Sequence, residues 1–165
     1  MPAEKLQVSR RDWIVAVLQN SSALGLIPYL PAATPDWSPS FLSAKQNATL
    51  VALGERIIPG TAGALCNRLI DFVLPIESDK NKSELLASLA AFDHEAEHLQ
   101  QRPFEQLSAS QQDELLTTAA QGGKLHAEFS LVKEWMADAY WSSLDGLHEL
   151  GWTGRMAWES FPNCK

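Results

Sequence analysis

Five apolar side chains, Leu85, Leu89, Phe92, Ala96 and Leu99, follow one another at steps of four, three, four and three residues. That rhythm lines one face of an α-helix and is incompatible with the period of two that a half-buried strand needs. A helix with a single apolar stripe must bury it against other elements. No stretch of the chain alternates convincingly with period two, so those elements are expected to be helices as well. Punctuation elsewhere agrees. Ser43–Ile58 places Leu50, Leu53, Ile57 and Ile58 near one face, and Pro59-Gly60 stops it. A second helix is predicted over about 62–74, with Leu65, Leu69, Phe72 and Val73 as its apolar side and Pro75 at its end. Residues 77–82 read as a polar loop, and Ser83 as the N-cap of the striped helix, about 84–101. Ser108 with Gln111 forms a capping-box signature for a helix through Ala120. Gly122-Gly123 separates it from a last helix over about 124–140. The expected fold is all-α: a small helical domain of about five helices, then an irregular aromatic tail with glycines at 146, 151 and 154.

The N-terminus has a different character. Ser9-Arg10-Arg11-Asp12-Trp13-Ile14-Val15 precedes a mostly apolar run that reaches Ala33. Paired arginines before an apolar stretch, in the pattern S-R-R-x-F-L-K, are the mark of a twin-arginine export signal, with Trp13 and Ile14 in the Phe and Leu places. Gln19, Asn20, Ser21 and Ser22 interrupt the run, which suits the weaker apolar region of that signal type. The run is too short and too polar for a membrane span, which needs about 20 apolar residues. Residues 1–33 are therefore assigned as a signal segment, with Arg10 and Arg11 as its recognition pair and a cleavage site near Pro31-Ala32-Ala33. The plainer alternative is an amphipathic first helix with two solvated arginines. Pro35, Asp36 and Pro39 supply linker chemistry, and residues 34–165 form the helical domain. The expected destination is the periplasm.

Charge narrows the partners. The chain carries a net −7. Residues 1–33 hold three cations against two anions, so their loss leaves −8. Such a surface cannot neutralise phosphate, which argues against nucleic acid and against direct binding to anionic lipid. Membrane association is expected only through partners. The two cysteines, Cys66 and Cys164, sit outside any CxxC or CxxCH pattern, which excludes a thiol redox motif, a c-type haem and a cysteine-rich zinc site. In an oxidising compartment they can pair with each other, or Cys164 can pair with another subunit, or both can stay free.

One motif invites a catalytic reading. His94-Glu95-Ala96-Glu97-His98 is a literal H-E-x-x-H, the arrangement in which two histidines one turn apart hold zinc and the glutamate activates its water. Glu134 or Asp138 could supply a third ligand. Against it, the phase of the stripe puts His94 and His98 on the side opposite Leu85, Leu89, Phe92 and Leu99, facing outward and not into a walled cleft. Glu97 adds a charge where peptidases carry an uncharged residue, and the strands of the peptidase fold are missing. Glu95-x-x-His98 also matches half of a di-iron site, but no second E-x-x-H exists to complete it. The favoured reading is a solvated helix face with no metal. A zinc-dependent hydrolase using His94, Glu95 and His98 is the rival. No phosphate-binding glycine loop and no G-x-S-x-G are present, so the chain is expected to be non-catalytic and to hold no cofactor.

The tail is the richest surface. Trp135, Trp141, Trp152 and Trp158, four of the six tryptophans, fall in the last 31 residues, with Tyr140 and Phe161 beside them. Trp135 and Trp152 suit core packing. Tyr140, Trp141, Trp152, Trp158 and Phe161 together suit a partner interface, because aromatic side chains bury large areas at low entropic cost.

Several segments then resemble the gluconate 2-dehydrogenase subunit 3 family. They are the Ser9-Arg10-Arg11 start, Leu50 through Pro59, Asn67-Arg68-Leu69-Ile70-Asp71-Phe72, Leu89 through Asp93, and Pro103 through Ser108 running on to Asp113. The most specific piece is Tyr140-Trp141-Ser142-Ser143-Leu144-Asp145-Gly146 leading to Glu149-Leu150-Gly151-Trp152-Thr153-Gly154. The resemblance implies a small subunit bound to a large flavoprotein of the glucose-methanol-choline (GMC) type, which carries FAD and the active site. It also implies a cytochrome c subunit, with haem c, as electron acceptor. The small subunit's signal would then carry the folded partner across the membrane. The shorter loop after Pro59, Val15 in the signal, and the H-E-x-x-H itself depart from the family pattern.

Overall fold

The computed structural model describes residues 37–153. The chain divides into two units, 1–38 and 39–165, and all but Trp37 and Ser38 of the described residues lie in the second. Within them there are six α-helices and no strand, so the fold is all-α. No helix among the described residues is long and apolar enough to cross a membrane.

Helix α1 spans Ala44–Ile57. Ser43 opens it as a complete capping box: its Oγ accepts the Gln46 amide at 3.2 Å, and the Ser43 amide donates to Gln46 Oε1 at 2.8 Å. Pro59 lacks the amide to continue the helix. The chain turns through Gly60, at φ +96°, where glycine alone is free of strain. Glu55 closes this turn by accepting the Gly60 and Ala62 amides at 3.1 and 3.2 Å.

Helix α2 runs Cys66–Val73, beginning four residues later than the spacing predicts because Ala62–Leu65 are used by the turn. Its inner face is Cys66, Asn67, Ile70 and Asp71, continued by Leu74. Phe72, expected inside, is 65% exposed. The reason is that hydrophobicity on a short helix leaves its rotation open, and Asp71 settles it. The Asp71 carboxylate accepts the amides of Ser40, Phe41 and Leu42 at 2.8, 3.0 and 2.8 Å, turning that flank inward. Burial opposes ionisation of Asp71, but the Leu42, Ser40 and Phe41 amides outweigh it and hold its pKa below the ordinary carboxylate value.

A 3₁₀ turn, Leu74–Ile76, leads to α3, Asp79–Gln100. The cap is Ser78 and not Ser83: Ser78 Oγ accepts the Asn81 amide at 3.1 Å. Residues expected to be a polar loop form an exposed first turn with Asp79 at its positive end and the pair Lys82–Asp79 at 2.9 Å. Ser83 Oγ instead donates to the Lys80 carbonyl. Leu85, Leu89, Phe92 and Ala96 of the stripe are buried as expected, whereas Leu99 is 56% exposed. The helix ends one residue later, at Gln100, and is capped by Gln101 at φ +56°, before any neighbour covers Leu99.

Phe104, on a 3₁₀ turn at Phe104–Gln106, packs edge-on against Phe92 with centroids 5.8 Å apart. Its main chain is held at both ends. The amide donates to Asp93 Oδ1 at 3.2 Å, and the carbonyl accepts from Gln112 Nε2 at 2.9 Å. Helix α4, Ala109–Ala120, carries the predicted Ser108/Gln111 capping box. Helix α5, His126–Trp141, touches all five other α-helices and supplies Val132, Trp135, Met136, Ala139 and Tyr140 to the core. Gly54 of α1 lies where a Cβ would come within 2.7 Å of the Met136 Cε. An Arg56–Asp113 pair ties α1 to α4, with Nε to Oδ1 at 2.8 Å. The part of the tail expected to be irregular holds a sixth helix, α6, at Leu144–Glu149.

Candidate partner-binding site

Two places concentrate the chemistry. The first is the outer face of α3. His94 and His98 are both exposed, one turn apart, as their phase predicts. Glu95 does not join them: its carboxylate, 13% exposed, is paired with Lys124 at the start of the segment leading to α5. Glu97 is paired with Lys45 at 3.1 Å. His94 lines an open groove of about 290 Å³ beside Ser43, Lys45, Leu89, Asp93 and Glu97. Asp93 is committed there to Thr49 Oγ1, at 3.0 Å, and to the Phe104 amide. Glu134 is exposed and Asp138 half-buried on α5. Among the described residues no group of three His, Cys, Asp or Glu side chains is placed to hold a metal ion. The water-activating glutamate of an H-E-x-x-H site must face the metal, and here it faces a lysine.

The second place is the corner between α5 and α6. Helix α5 ends at Trp141, and Ser143 then serves both helices: its hydroxyl donates to the Tyr140 carbonyl at 2.6 Å and accepts the Gly146 amide at 3.1 Å. Gly146 sits so near the end of α5 that a Cβ there would lie 2.2 Å from the Tyr140 carbonyl oxygen. Gly151, at φ +80°, ends the corner. The close turn divides the aromatic residues of this segment. Tyr140 faces the core at 6% exposure, and its hydroxyl donates to Glu149 Oε1 at 2.7 Å. That bond, with burial second, pushes its pKa up to about 12. Tyr140 is thus a core residue of the corner and not part of the presented surface, because its ring fills the inner end of α5. Trp141 points outward at 42% exposure, with its ring edge-on to Tyr140 at 5.2 Å. Trp152 is half-buried and stacks on His148 at 6.4 Å.

Leu144 and Leu150, 43% and 67% exposed, join Trp141 on the outside. Sequence reasoning missed both. Nothing local separates them from Leu147, which turns partly inward. Trp135, assigned to packing, is 3% exposed. Cys66 is free and buried, and burial raises its thiol to about 11, so it is a poor nucleophile in the folded chain. Arg10, Arg11, Trp158, Phe161 and Cys164 lie outside the described residues.

No curated protein and no solved structure matches the chain. A family model described as gluconate 2-dehydrogenase subunit 3 matches residues 44–162, a span that takes in all six helices and the whole α5–α6 corner, and the chain belongs to that family.

Proposed function

We propose that this chain is a non-catalytic small subunit of a gluconate-2-dehydrogenase-type complex, and that it escorts and stabilises the catalytic subunit during export to the periplasm. The observation that carries this reading is the family match over residues 44–162, whose description is that of a subunit. In this reading the partner is a large GMC-type flavoprotein that carries FAD and oxidises a sugar or alcohol. A cytochrome c subunit with haem c takes the electrons. The twin-arginine pair Arg10-Arg11 directs export of the joined chains.

The α5–α6 corner is the docking surface in this proposal. Trp141, Leu144 and Leu150 expose apolar area next to one another in sequence, on a segment locked in shape by Gly146 and Ser143. A rigid apolar patch loses little entropy on binding and is suited to a permanent partner. The acidic balance of the chain fits a protein partner better than nucleic acid or an anionic membrane.

The test is co-expression of the two chains, followed by fractionation and a dye-linked dehydrogenase assay. Active flavoprotein is expected in the periplasm only when this chain is present, and Arg10→Lys with Arg11→Lys should leave both chains in the cytoplasm. Export of active flavoprotein without this chain would falsify the escort role.

A further inference from the structure

The first residues of the helical body converge on one carboxylate. Ser40, Phe41 and Leu42 each donate their main-chain amide to Asp71, at 2.8, 3.0 and 2.8 Å, and the Ser40 hydroxyl adds a fourth bond at 2.9 Å. The acceptor lies 29 to 31 residues further along the chain, on α2, and is 3% exposed. Its neighbour Ile70 is buried at 2%, and α2 packs on α5, so Asp71 is in place only once the body has formed. Leu42 is itself buried at 3%, whereas Ser40 and Phe41 are exposed. The main chain at 40–42 is thus held although part of its side-chain surface is open to solvent.

We infer that Asp71 is a latch on the entry segment, and that it sets the limit to which the leading residues can be removed by proteolysis. A protease binds its substrate as an extended strand and needs several main-chain groups on each side of the cut to be free. At the Phe41–Leu42 bond both amides are held by Asp71 and the Leu42 side chain is buried. That bond is withheld while the latch is closed, although Phe41 is an exposed aromatic that chymotrypsin would otherwise accept. Cuts nearer the N-terminus than Ser40 break none of the four bonds, so they leave the latch and the helices whole. The inference does not depend on export: any processing of the leading segment meets the same limit.

The test uses the full chain and its Asp71→Asn variant. Asparagine keeps the size but removes the charge and turns a donor toward amides that need an acceptor. Limited chymotrypsin digestion followed by mass measurement should give no product beginning at Leu42 from the parent chain. The variant should release that product at least about tenfold faster, at a temperature where both are folded by circular dichroism, as local opening without global unfolding requires. Equal rates of the Phe41–Leu42 cut in the two proteins would overturn the latch. Amide hydrogen exchange of the parent chain decides the matter even when the variant does not fold. Phe41 and Leu42 should exchange at least about a hundredfold slower than an unstructured chain, and exchange at the unstructured rate would overturn it.

Discussion

The outer face of α3 and the α5–α6 corner both concentrate titratable and aromatic side chains, but different constraints hold them. On α3, His94 and His98 are one turn apart and exposed, and the glutamates between them are each neutralised by a lysine from another element, Lys124 or Lys45. Nothing there depends on close approach of main chains. At the corner, a serine hydroxyl bridges two helices, a glycine admits a carbonyl, and a buried tyrosine is tied to a glutamate. A spacing motif specifies which residues share a face, while a packed corner specifies atoms. The comparison teaches that a literal catalytic pattern on a solvated face carries less information than glycine at a contact that no other residue can make.

Four outcomes would sharpen or break this contrast. The largest effect is expected from Gly146→Ala. Its Cβ would meet the Tyr140 carbonyl at 2.2 Å and the Trp141 Cα at 3.0 Å, and both are main-chain atoms that cannot step aside. Overpacking of this kind costs about 3 kcal/mol, measurable by urea unfolding. A loss below about 0.5 kcal/mol, the usual scale of a surface substitution, would show that the corner is looser than described.

Next comes Leu150→Ser. As an exposed residue it should change stability by no more than about 0.5 kcal/mol. Under the proposed docking it should weaken the complex with the large subunit by about 2 kcal/mol, or roughly thirtyfold in Kd by calorimetry. Unchanged affinity would move the interface elsewhere.

A smaller effect concerns Tyr140. Its hydrogen bond to Glu149 raises the folded-state pKa to about 12, above the ordinary value of about 10. The contribution to stability is therefore complete below pH about 10 and fades as pH rises through 12. Ultraviolet titration of Glu149→Gln should bring that ionisation back toward the ordinary value, and an unchanged titration would mean the bond is not what holds it.

The smallest effect belongs to α3. His94→Ala with His98→Ala should alter stability by less than about 0.5 kcal/mol per site, since both residues are exposed. Elemental analysis of the purified parent chain should find no stoichiometric zinc. One zinc per chain, lost in the double variant, would instead restore the hydrolase reading.

Much of the fold was legible because its signals are local. The Ser108 capping box acts within four residues, and Pro59-Gly60 stops α1 on chemistry it carries itself, whereas the matching box at Ser43 went unread. The stripe of α3 predicted four of its five burials, and the outward phase of His94 and His98 followed from the same geometry. The start of α3 was harder, because exposed charged residues fit a loop as well as a capped first turn, and the cap at Ser78 lies outside the stripe. At the candidate site, Trp141 was visible as an exposed aromatic, whereas the inward turn of Tyr140 and the outward turns of Leu144 and Leu150 were not.

The amino-acid order by itself determined that the chain is helical, where α1, α4 and α5 lie to within two residues, and where α3 ends, and Tyr140 to Gly154 carried its most specific resemblance to the family. Tertiary structure alone decided the rotation of α2, with Phe72 outside and Asp71 inside, and the division of the corner into a buried tyrosine and an exposed Trp141, Leu144 and Leu150. The physical reason is the range of the interactions. Caps and stripes are settled within a turn or two, but Asp71 finds its donors about thirty residues away and Gly146 meets a carbonyl that only a folded α5 presents. Such contacts have no trace in spacing until the chain has closed on itself.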